Sequence, residues 1–343
     1  MRLLTIIILG LSLSISSGNA EAAKKKKKNA PASSTGFEHR AEVQSFIKEM
    51  AALGLNSREL NQRFAQHRPN TEVIRLMDAP VLRPAKWYEY YPRFLQADRI
   101  NAGHNYLKNH QSIFKRAQEV YKVSPSLIAA IIGVETFYGR VTGSNEVFNA
   151  LATLCFDYPR RSQYFCSELK EYLLHTQADG AIYKKAKGSF AGAMGLPQFM
   201  PSSIKNFAVD FDADGHVDLW NSHADIIASV ANYFAGHGWE ENGIVMLPVQ
   251  VHHPDTLKLI QNQMSERQAV SKWLEAGVSG EGLDKIPALE SAGLIVLEDP
   301  PGESEAVNHK YYLAFNNFYV ITRYNRSRLY ASAVWSLALE LSK

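Results

Sequence analysis

The stretch SPSLIAAIIGVETFYGR, residues 124–140, predicts a capped apolar helix to which the other segments of the chain can be related. Ser124 is a good N-cap, Pro125 suits the first helical position, and Gly139 is a typical C-terminal stop. The segment between them is short and carries a single carboxylate, Glu135. This carboxylate is therefore the first candidate for chemistry.

Glu135 shares the apolar face of the predicted helix. Helical spacing from Ile128 passes through Ile131 and Ile132 and then reaches Glu135, so the acid should be buried. A buried charge is costly unless the carboxylate is paired, or unless it is held protonated for use.

Two interpretations of Glu135 remain open from its position alone. It can form a salt bridge with an arginine, such as Arg140 or Arg160, or it can donate a proton to a leaving oxygen. The aromatic pair Phe137-Tyr138 and the tyrosine-rich segments elsewhere favour the second interpretation. An apolar and aromatic setting raises the pKa of a carboxyl group and suits it to general acid catalysis.

Composition predicts an exported globular protein. The 343 residues are 46% hydrophobic and 21% charged, enough for a large core in one or two domains. Residues 1–20 read as a signal peptide, with Arg2, an apolar run over 3–15 and a cleavage site after Ala20. An uncleaved anchor is the alternative. No cysteine lies near this site, so we expect an exported, soluble protein without a lipid anchor.

The positive charge is concentrated in a short basic linker, residues 21–36. Without Arg2 and Lys24–Lys28 the formal net charge falls from +3 to −3. We expect the linker to be disordered and solvated, and nothing in the chain indicates a nucleic-acid partner. Cys155 and Cys166 can form a disulfide or remain two packed thiols, and spacing alone leaves both open.

Periodicity predicts three further regions. Residues 37–240 are helical and contain the catalytic core, residues 241–322 form a small α+β insertion, and residues 323–343 return to the core. The predicted helices are 37–53, 57–66, 96–121, 147–156, 162–179, 222–237, 266–275 and 327–341, and the predicted strands are 244–251, 293–297 and 311–322. Residues 80–92 should be irregular and aromatic. Residues 187–203 are glycine-rich and suit close backbone packing against a cleft.

The acidic run DFDADGHVD, residues 210–218, fits a calcium loop of the EF-hand type. Carboxylates stand at positions one, three and five of the loop and glycine at position six. Position twelve is Asn221 instead of glutamate, and Asp225 on the following helix can supply the missing carboxylate. The alternative is a solvated acidic turn. If calcium binds, we expect it to staple the loop structurally and to take no part in catalysis.

Several segments, in order, resemble the membrane-bound lytic murein transglycosylase B family. They are IIGVETFYGR, NALATLCFDYPRRSQYF, KGSFAGAMGLPQFMPSS, DFDADGHVDLW, VANYFAGHGW and TRYNRS, and they cover 87–239 and 323–338. The resemblance implies a mainly α fold of the α+β kind, with a lysozyme-like helical catalytic core. It also implies non-hydrolytic cleavage of the β-1,4 bond between N-acetylmuramic acid and N-acetylglucosamine in peptidoglycan, leaving a 1,6-anhydromuramyl end.

The same resemblance implies roles for individual residues. The catalytic acid and base falls on Glu135. The implied substrate-binding residues are Tyr90, Arg160, Arg161, Ser189, Gln198, Tyr233, Tyr324 and Asn325. The implied calcium ligands are Asp210, Asp212, Asp214, the backbone oxygen of His216, and Asp225. For Asp225, the alignment with the family places one extra residue between Asp214 and Asp225. No organic cofactor is expected.

A single glutamate can serve this reaction because no second acid is suitably placed in the motifs; Asp157 lies among polar residues. Most glycosidases use two carboxylates. The alternatives are a hydrolytic muramidase and a non-catalytic peptidoglycan-binding scaffold. We expect a monomer that acts on peptidoglycan glycan strands and can associate with cell-wall synthesis proteins.

Overall fold

The computed structural model describes residues 36–79, 83–178, 180–261, 263–300 and 308–343. The predicted signal peptide and nearly all of the basic linker lie outside these residues. The described chain is mainly helical, with one five-stranded sheet and one two-stranded ribbon. In these ranges no helix combines the length and the hydrophobicity that crossing a bilayer requires.

The elements follow one another in this order. The helices are α1 Ala41–Ala52, α2 Ser57–Ala65, α3 Thr71–Met77, α4 Trp87–Tyr90, α5 Ala97–Asn109, α6 Gln111–Tyr121, α7 Pro125–Thr136, α8 Val147–Asp157, α9 Ser162–Ala178, α10 Gly180–Tyr183, α11 Pro201–Phe207, α12 His223–Gly236, α13 Pro254–Leu257, α14 Val270–Glu275, α15 Asn316–Tyr324 and α16 Arg328–Leu341. The strands are β1 Asn145–Glu146, β2 Lys187–Gly188, β3 Met246–Val251, β4 Gln268–Ala269, β5 Val278–Ser279, β6 Ser291–Glu298 and β7 His309–Ala314.

The described chain divides into two compact units. The first unit comprises Arg83–Val134 and Val230–Lys343, and the second comprises 36–79 and Glu135–Ser229. The division falls inside α7 and inside α12. The two units are described separately below.

The second unit is built on packed helices and a cluster of phenylalanines. α1 buries Val43, Phe46, Ile47 and Met50, the spacing expected of an amphipathic helix. The ring of Phe46 lies 6.2 Å from that of Phe64. Residues predicted as helices at 57–66, 147–156 and 162–179 are helical here, with ends that differ by one or two positions.

A disulfide between Cys155 and Cys166 joins α8 to α9 in this unit, and their Cα atoms are 4.5 Å apart. The alternative of two free thiols is therefore wrong. The bond brackets a short 3₁₀ turn at Pro159–Arg161, the segment with the predicted arginine pair. It restricts the distance between the two helices that flank this turn.

The first unit contains an antiparallel sheet in the order β4-β6-β7-β3-β5. One side of the sheet region packs Trp273, Val270 and Leu294 into a buried cluster. A second cluster joins Trp87 of α4 to Leu297 of β6 and to residues of α16. The sheet therefore contributes to two cores in the first unit.

Four sequence predictions are wrong here. The helix predicted at 266–275 begins only at Val270, after the strand β4. The helix predicted at 96–121 is two helices, because His110, with φ −118° and ψ 26°, leaves the helical conformation. The strand predicted at 311–322 ends at Ala314 and is followed by α15, where Asn317, Phe318 and Ile321 are buried at helical spacing. The segment 80–92 is not wholly irregular, since it contains α4.

Helix α3 is absent from the sequence prediction. Asn70 begins it as an N-cap, and its side chain accepts hydrogen bonds from the backbone N–H groups of Glu72 and Val73. The signal available in the sequence is this asparagine, with acidic Glu72 in the first turn.

Candidate active site

The helix α7 positions Glu135 in its last turn. Leu127 N–H approaches the hydroxyl of Ser124 at 3.4 Å, and Pro125 opens the helix, as predicted. Residues 127–136 are all buried, so the helix is covered on every side and not only along one stripe. Glu135 is 7% exposed. The C-terminal end of a helix disfavours negative charge, which adds to the cost of ionising this carboxyl group.

Helix α7 ends at Thr136, before the predicted stop at Gly139. Phe137 and Tyr138 have φ values of 53° and 57°, a left-handed conformation that non-glycine residues rarely adopt. The hydroxyl of Thr136 donates to the carbonyl of Leu196 at 3.0 Å and accepts the N–H of Gly139 at 3.1 Å. These contacts fix the backbone that follows Glu135 to the glycine-rich segment.

That glycine-rich segment, residues 187–203, is a tightly folded loop. Strand β2 pairs with β1, and isolated bridges join Met194 to Gly188 and to Phe199. A Cβ on Gly195 would lie 2.5 Å from the carbonyl oxygen of Leu219, and its φ is +69°, so a side chain cannot be accommodated there. The expected close backbone packing is confirmed within this unit.

The loop holds Ser189 and Gln198, two of the predicted substrate contacts. Ser189 Oγ accepts the N–H groups of Ala191 at 3.3 Å and Ala193 at 3.0 Å. Gln198 has a φ of 53°, and its Nε2 donates to the carbonyls of Gly195 and Thr142. Both side chains are oriented by the backbone of the second unit, and both are half-buried.

The arginine pair lies on the turn between α8 and α9. Arg160 is 72% exposed and forms an ion pair with Asp78 at 3.1 Å. The guanidinium of Arg161 lies over the ring of Tyr164, 4.3 Å from its centroid. Neither of these two contacts involves Glu135.

The first unit brings together Tyr233 and Tyr324. The hydroxyl of Tyr233 donates to the carbonyl of Arg323 at 2.7 Å, and the two tyrosine rings are 4.8 Å apart. Asn325 follows directly, and its Oδ1 is buried without a hydrogen-bond partner among the described residues. Tyr90 belongs to a different cluster, with its ring 5.1 Å from that of Phe94.

The acidic loop gathers three of the five predicted metal ligands. Carboxylate oxygens of Asp210, Asp212 and Asp214 lie within 4.8 Å of one another. Gly215, at the sixth loop position, has a φ of +93° and its N–H is held by Asp210 at 2.9 Å. Hard oxygen donors in this arrangement suit calcium. His216 is exposed in the same loop, and its N–H is held by Asp214.

Asp225 stabilises this loop through backbone contacts. It is 0% exposed, and its two oxygens accept the N–H groups of Phe211 at 2.8 Å and Asp218 at 2.9 Å. Burial raises the pKa of this carboxyl group, and the nearby Asp212 and Asp210 raise it further, whereas the two backbone hydrogen bonds lower it. Asp225 therefore connects Phe211, at the second position of the loop, to Asp218, at the ninth.

Comparisons with known proteins agree on one family. The family model described as "Transglycosylase SLT domain" matches residues 38–339. The chain is 37% identical over 311 residues to the membrane-bound lytic murein transglycosylase B of Escherichia coli K12, covering 88% of this chain and 82% of that protein.

Solved structures give the same result. Soluble lytic transglycosylase SltB1 from Pseudomonas aeruginosa is 35% identical with a TM-score of 0.81, covering 88% of this chain and 98% of that one. Escherichia coli Slt35 in complex with calcium is 36% identical with a TM-score of 0.79, covering 93% and 98%. SltB3 from Pseudomonas aeruginosa in complex with NAG-anhNAM-pentapeptide is 29% identical with a TM-score of 0.76, covering 88% and 78%.

Proposed function

We propose a reaction for this chain, which belongs to the transglycosylase SLT domain family. The protein is a lytic murein transglycosylase with a mainly helical, lysozyme-like fold. It cleaves the β-1,4 bond between N-acetylmuramic acid and N-acetylglucosamine and leaves a 1,6-anhydromuramyl end. Glu135 acts first as the acid and then as the base. The burial of Glu135 at the end of an apolar helix is the observation that carries this proposal.

The other buried carboxylates of the described chain have structural partners. Glu168 accepts the N–H of Ser202 at 2.9 Å and its hydroxyl at 2.7 Å. Asp225 holds the acidic loop, and Glu298 accepts from Trp87 and Arg328. These three carboxylates hold backbone and side-chain donors in place. The proposal of Glu135 for proton transfer rests on its own burial at the end of an apolar helix.

A second acid is not needed for this reaction. The carboxylate of Asp157 is bound by Arg40 Nη1 through both oxygens, at 3.0 and 2.8 Å. Protonated Glu135 gives its proton to the glycosidic oxygen, and the bond from that oxygen to C1 of the muramyl sugar breaks. The C6 hydroxyl oxygen then attacks C1 while ionised Glu135 takes the hydroxyl proton, so no water is consumed.

Ser189 acts on the substrate as a hydrogen-bond donor. A serine hydroxyl has two acceptor sites and one donor, and the N–H groups of Ala191 and Ala193 occupy both acceptor sites of Ser189. Its O–H is therefore directed to an acceptor such as an acetamido carbonyl. Gln198, Arg160 and Arg161 bind the substrate from the same unit, with the arginines attracting the carboxylates of peptide stems.

Tyr90, Tyr233, Tyr324 and Asn325 bind sugar rings and their amides in the first unit. The aromatic faces supply stacking area, and the side-chain amide of Asn325 supplies hydrogen bonds to bound substrate. These contacts hold the glycan strand in a reactive orientation.

Calcium binds the acidic loop and supports it structurally. Asp210, Asp212 and Asp214 supply side-chain oxygens, and His216 supplies its backbone oxygen. Asp225 would supply the fifth ligand. Calcium in the Slt35 complex supports this part of the proposal. The ion orders the loop and takes no part in proton transfer.

The protein acts in the periplasm as a monomer on peptidoglycan glycan strands. The disulfide fits an oxidising compartment, and the SltB3 complex contains a peptidoglycan fragment. Proteins of cell-wall synthesis are the remaining proposed partners.

Mass spectrometry of muropeptides tests the reaction. Purified protein should release products one water lighter than hydrolytic products, and Glu135→Gln should lower the rate by at least ~10²-fold while glycan binding persists. Glu146→Gln, which removes an exposed carboxylate paired with His67, is the matched control and should stay active. Products with only reducing muramic ends would establish a hydrolytic muramidase. Unchanged cleavage by Glu135→Gln would remove Glu135 from the mechanism.

A further inference from the structure

The inserted sheet delivers a buried carboxylate to the helical part of the first unit. Glu298 is the last residue of β6 and is 0% exposed. Its Oε2 accepts the backbone N–H of Trp87 at 3.1 Å, and its Oε1 accepts from Arg328 Nη2 at 3.2 Å. A carboxylate in this position is expensive to bury, so its contacts must be specific.

Each of the two contacts ends next to predicted substrate-binding residues. Trp87 is the first residue of α4, the single turn that carries Tyr90. Arg328 is the first residue of α16, three residues after Asn325. The same carboxylate thus joins the segment with Tyr90 to the turn with Tyr324 and Asn325.

Helix α4 depends on such outside contacts. A four-residue helix has no stability of its own, and its first N–H groups have no partner within the helix. Glu89 accepts the N–H of Lys86 at 3.1 Å, and Glu298 accepts that of Trp87. Trp87 also packs against Leu297, the neighbour of Glu298. The end of β6 therefore sets the position of α4.

The start of α16 is fixed in a similar way. Arg328 has a side chain only 11% exposed, and its Nη1 is buried without a hydrogen-bond partner among the described residues. Its guanidinium therefore depends on Glu298 for charge compensation. Ser327 caps the helix by accepting the N–H of Tyr330, and its own N–H donates to the carbonyl of Asn325 at 2.7 Å.

We propose that Glu298, with Arg328, is a positioning residue that sets the spacing of Tyr90 from Tyr324 and Asn325 for glycan binding. This inference rests on the proposed function, which gives those three residues their role. It also gives the sheet insertion a role, since β6 carries the carboxylate to both segments. Glu298 touches no substrate and acts only through α4 and α16.

Steady-state kinetics on soluble glycan oligomers tests the proposal. Glu298→Gln should raise KM roughly tenfold and change kcat less than about twofold, because uniform binding is lost while Glu135 is untouched. Asp299→Asn is the matched control. It breaks the neighbouring ion pair between half-buried Asp299 and exposed Lys310, 2.8 Å long, and should leave both constants unchanged.

A second variant separates positioning from folding. In Glu298→Met combined with Arg328→Leu, both charges are replaced by apolar groups, a change that buried ion pairs often tolerate. This double variant should keep the wild-type Tm within a few degrees and still show the raised KM. If it is folded and its KM lies within twofold of wild type, the proposal is wrong.

A double-mutant cycle tests the path through which Glu298 acts. In a Tyr90→Ala, Tyr324→Ala, Asn325→Ala background, Glu298→Gln should change KM less than about twofold, because all three positioned side chains are gone. Multiplicative effects would overturn the proposal. Glycan affinity in the Glu135→Gln background gives a readout independent of cleavage. Failure of the wild type to form anhydro products, with Glu298→Gln still weakening glycan binding, would refute the reaction and leave the positioning role intact.

Discussion

Asp225 in the second unit and Glu298 in the first are both fully buried, but they obtain their partners over different distances in the sequence. Asp225 accepts backbone N–H groups from Phe211 and Asp218, at most 14 residues away. Glu298 accepts from Arg328, 30 residues away, and from Trp87, 211 residues away. A local contact stabilises one loop, whereas a long-range contact holds separate segments together.

The two carboxylates also differ in the charge of their partners. Backbone N–H groups stabilise Asp225 with partial charges, while Arg328 brings a full charge into the interior. Burial lowers the pKa of Arg328, and Glu298 opposes that change. Removing one partner of a buried ion pair leaves the other uncompensated, which is the more damaging kind of loss.

Arg328→Met should produce the largest loss of stability among the changes that separate these two regions. It leaves Glu298 buried with only the N–H of Trp87 and the distant Lys86, whose Nζ is 4.0 Å away. We expect the free energy of unfolding to fall by about 3 to 5 kcal/mol. Urea denaturation followed by circular dichroism measures it. A loss below about 1 kcal/mol would show that the ion pair is not a determinant of this unit.

Asp225→Asn should produce a smaller loss. One carboxylate oxygen becomes an amide that donates instead of accepting, so one of the two backbone N–H groups loses its partner. We expect a loss of about 1 to 3 kcal/mol without calcium. The same denaturation experiment measures it, with Asp218→Asn as the comparison at a half-buried position of the same loop.

Calcium sharpens this second prediction. If Asp225 is a ligand, saturating calcium should stabilise the wild type by about 2.7 kcal/mol at a hundred times its dissociation constant, and stabilise Asp225→Asn much less. Equal stabilisation of both proteins would restrict Asp225 to its backbone contacts.

The sequence predicts features that depend on neighbouring residues well, and features that depend on residues far apart in the sequence poorly. The spacing of Asp210, Asp212 and Asp214 was sufficient to propose a calcium loop, because all its ligands lie in one short segment. The cap at Ser124 and the burial of Glu135 follow from neighbouring residues in the same manner. The family resemblance also predicts the fold class and the enzyme class, and the comparisons confirm both.

Long-range features had no signal in the sequence pattern. Nothing near Glu298 indicates Trp87 as its partner, because the tertiary fold alone brings β6 to α4. The left-handed backbone at Phe137 and Tyr138 depends on Thr136 contacting Leu196, 60 residues away. The break at His110 has no signal in the sequence, because neither glycine nor proline marks it.

The smallest predicted effect concerns His110. It tests why Glu298 and Asp225 should contribute differently to stability: because their partners lie at different distances in the sequence, or because they lie in different units. His110 lies in the first unit, as Glu298 does, but its ring packs locally, 4.7 Å from that of Tyr106 on the preceding helix. Burial lowers the pKa of its imidazole below the usual 6.5. Protonation therefore favours the unfolded chain, so stability is complete above about pH 6.5 and falls as the pH drops through the folded-state pKa.

His110→Gln should remove this part of the pH dependence. Because the ring is only half-buried and solvent partly screens its charge, we expect a difference below about 0.5 kcal/mol between wild type and variant as the pH falls from 7.5 to 5. Urea denaturation across that range measures the difference, and subtraction cancels the other histidines. If this local contact in the first unit contributes little to the free energy of unfolding, the large loss expected for Arg328→Met is explained by the long sequence separation of its ion-pair partners. A loss comparable to that of Arg328→Met would instead indicate that the whole first unit is marginally stable.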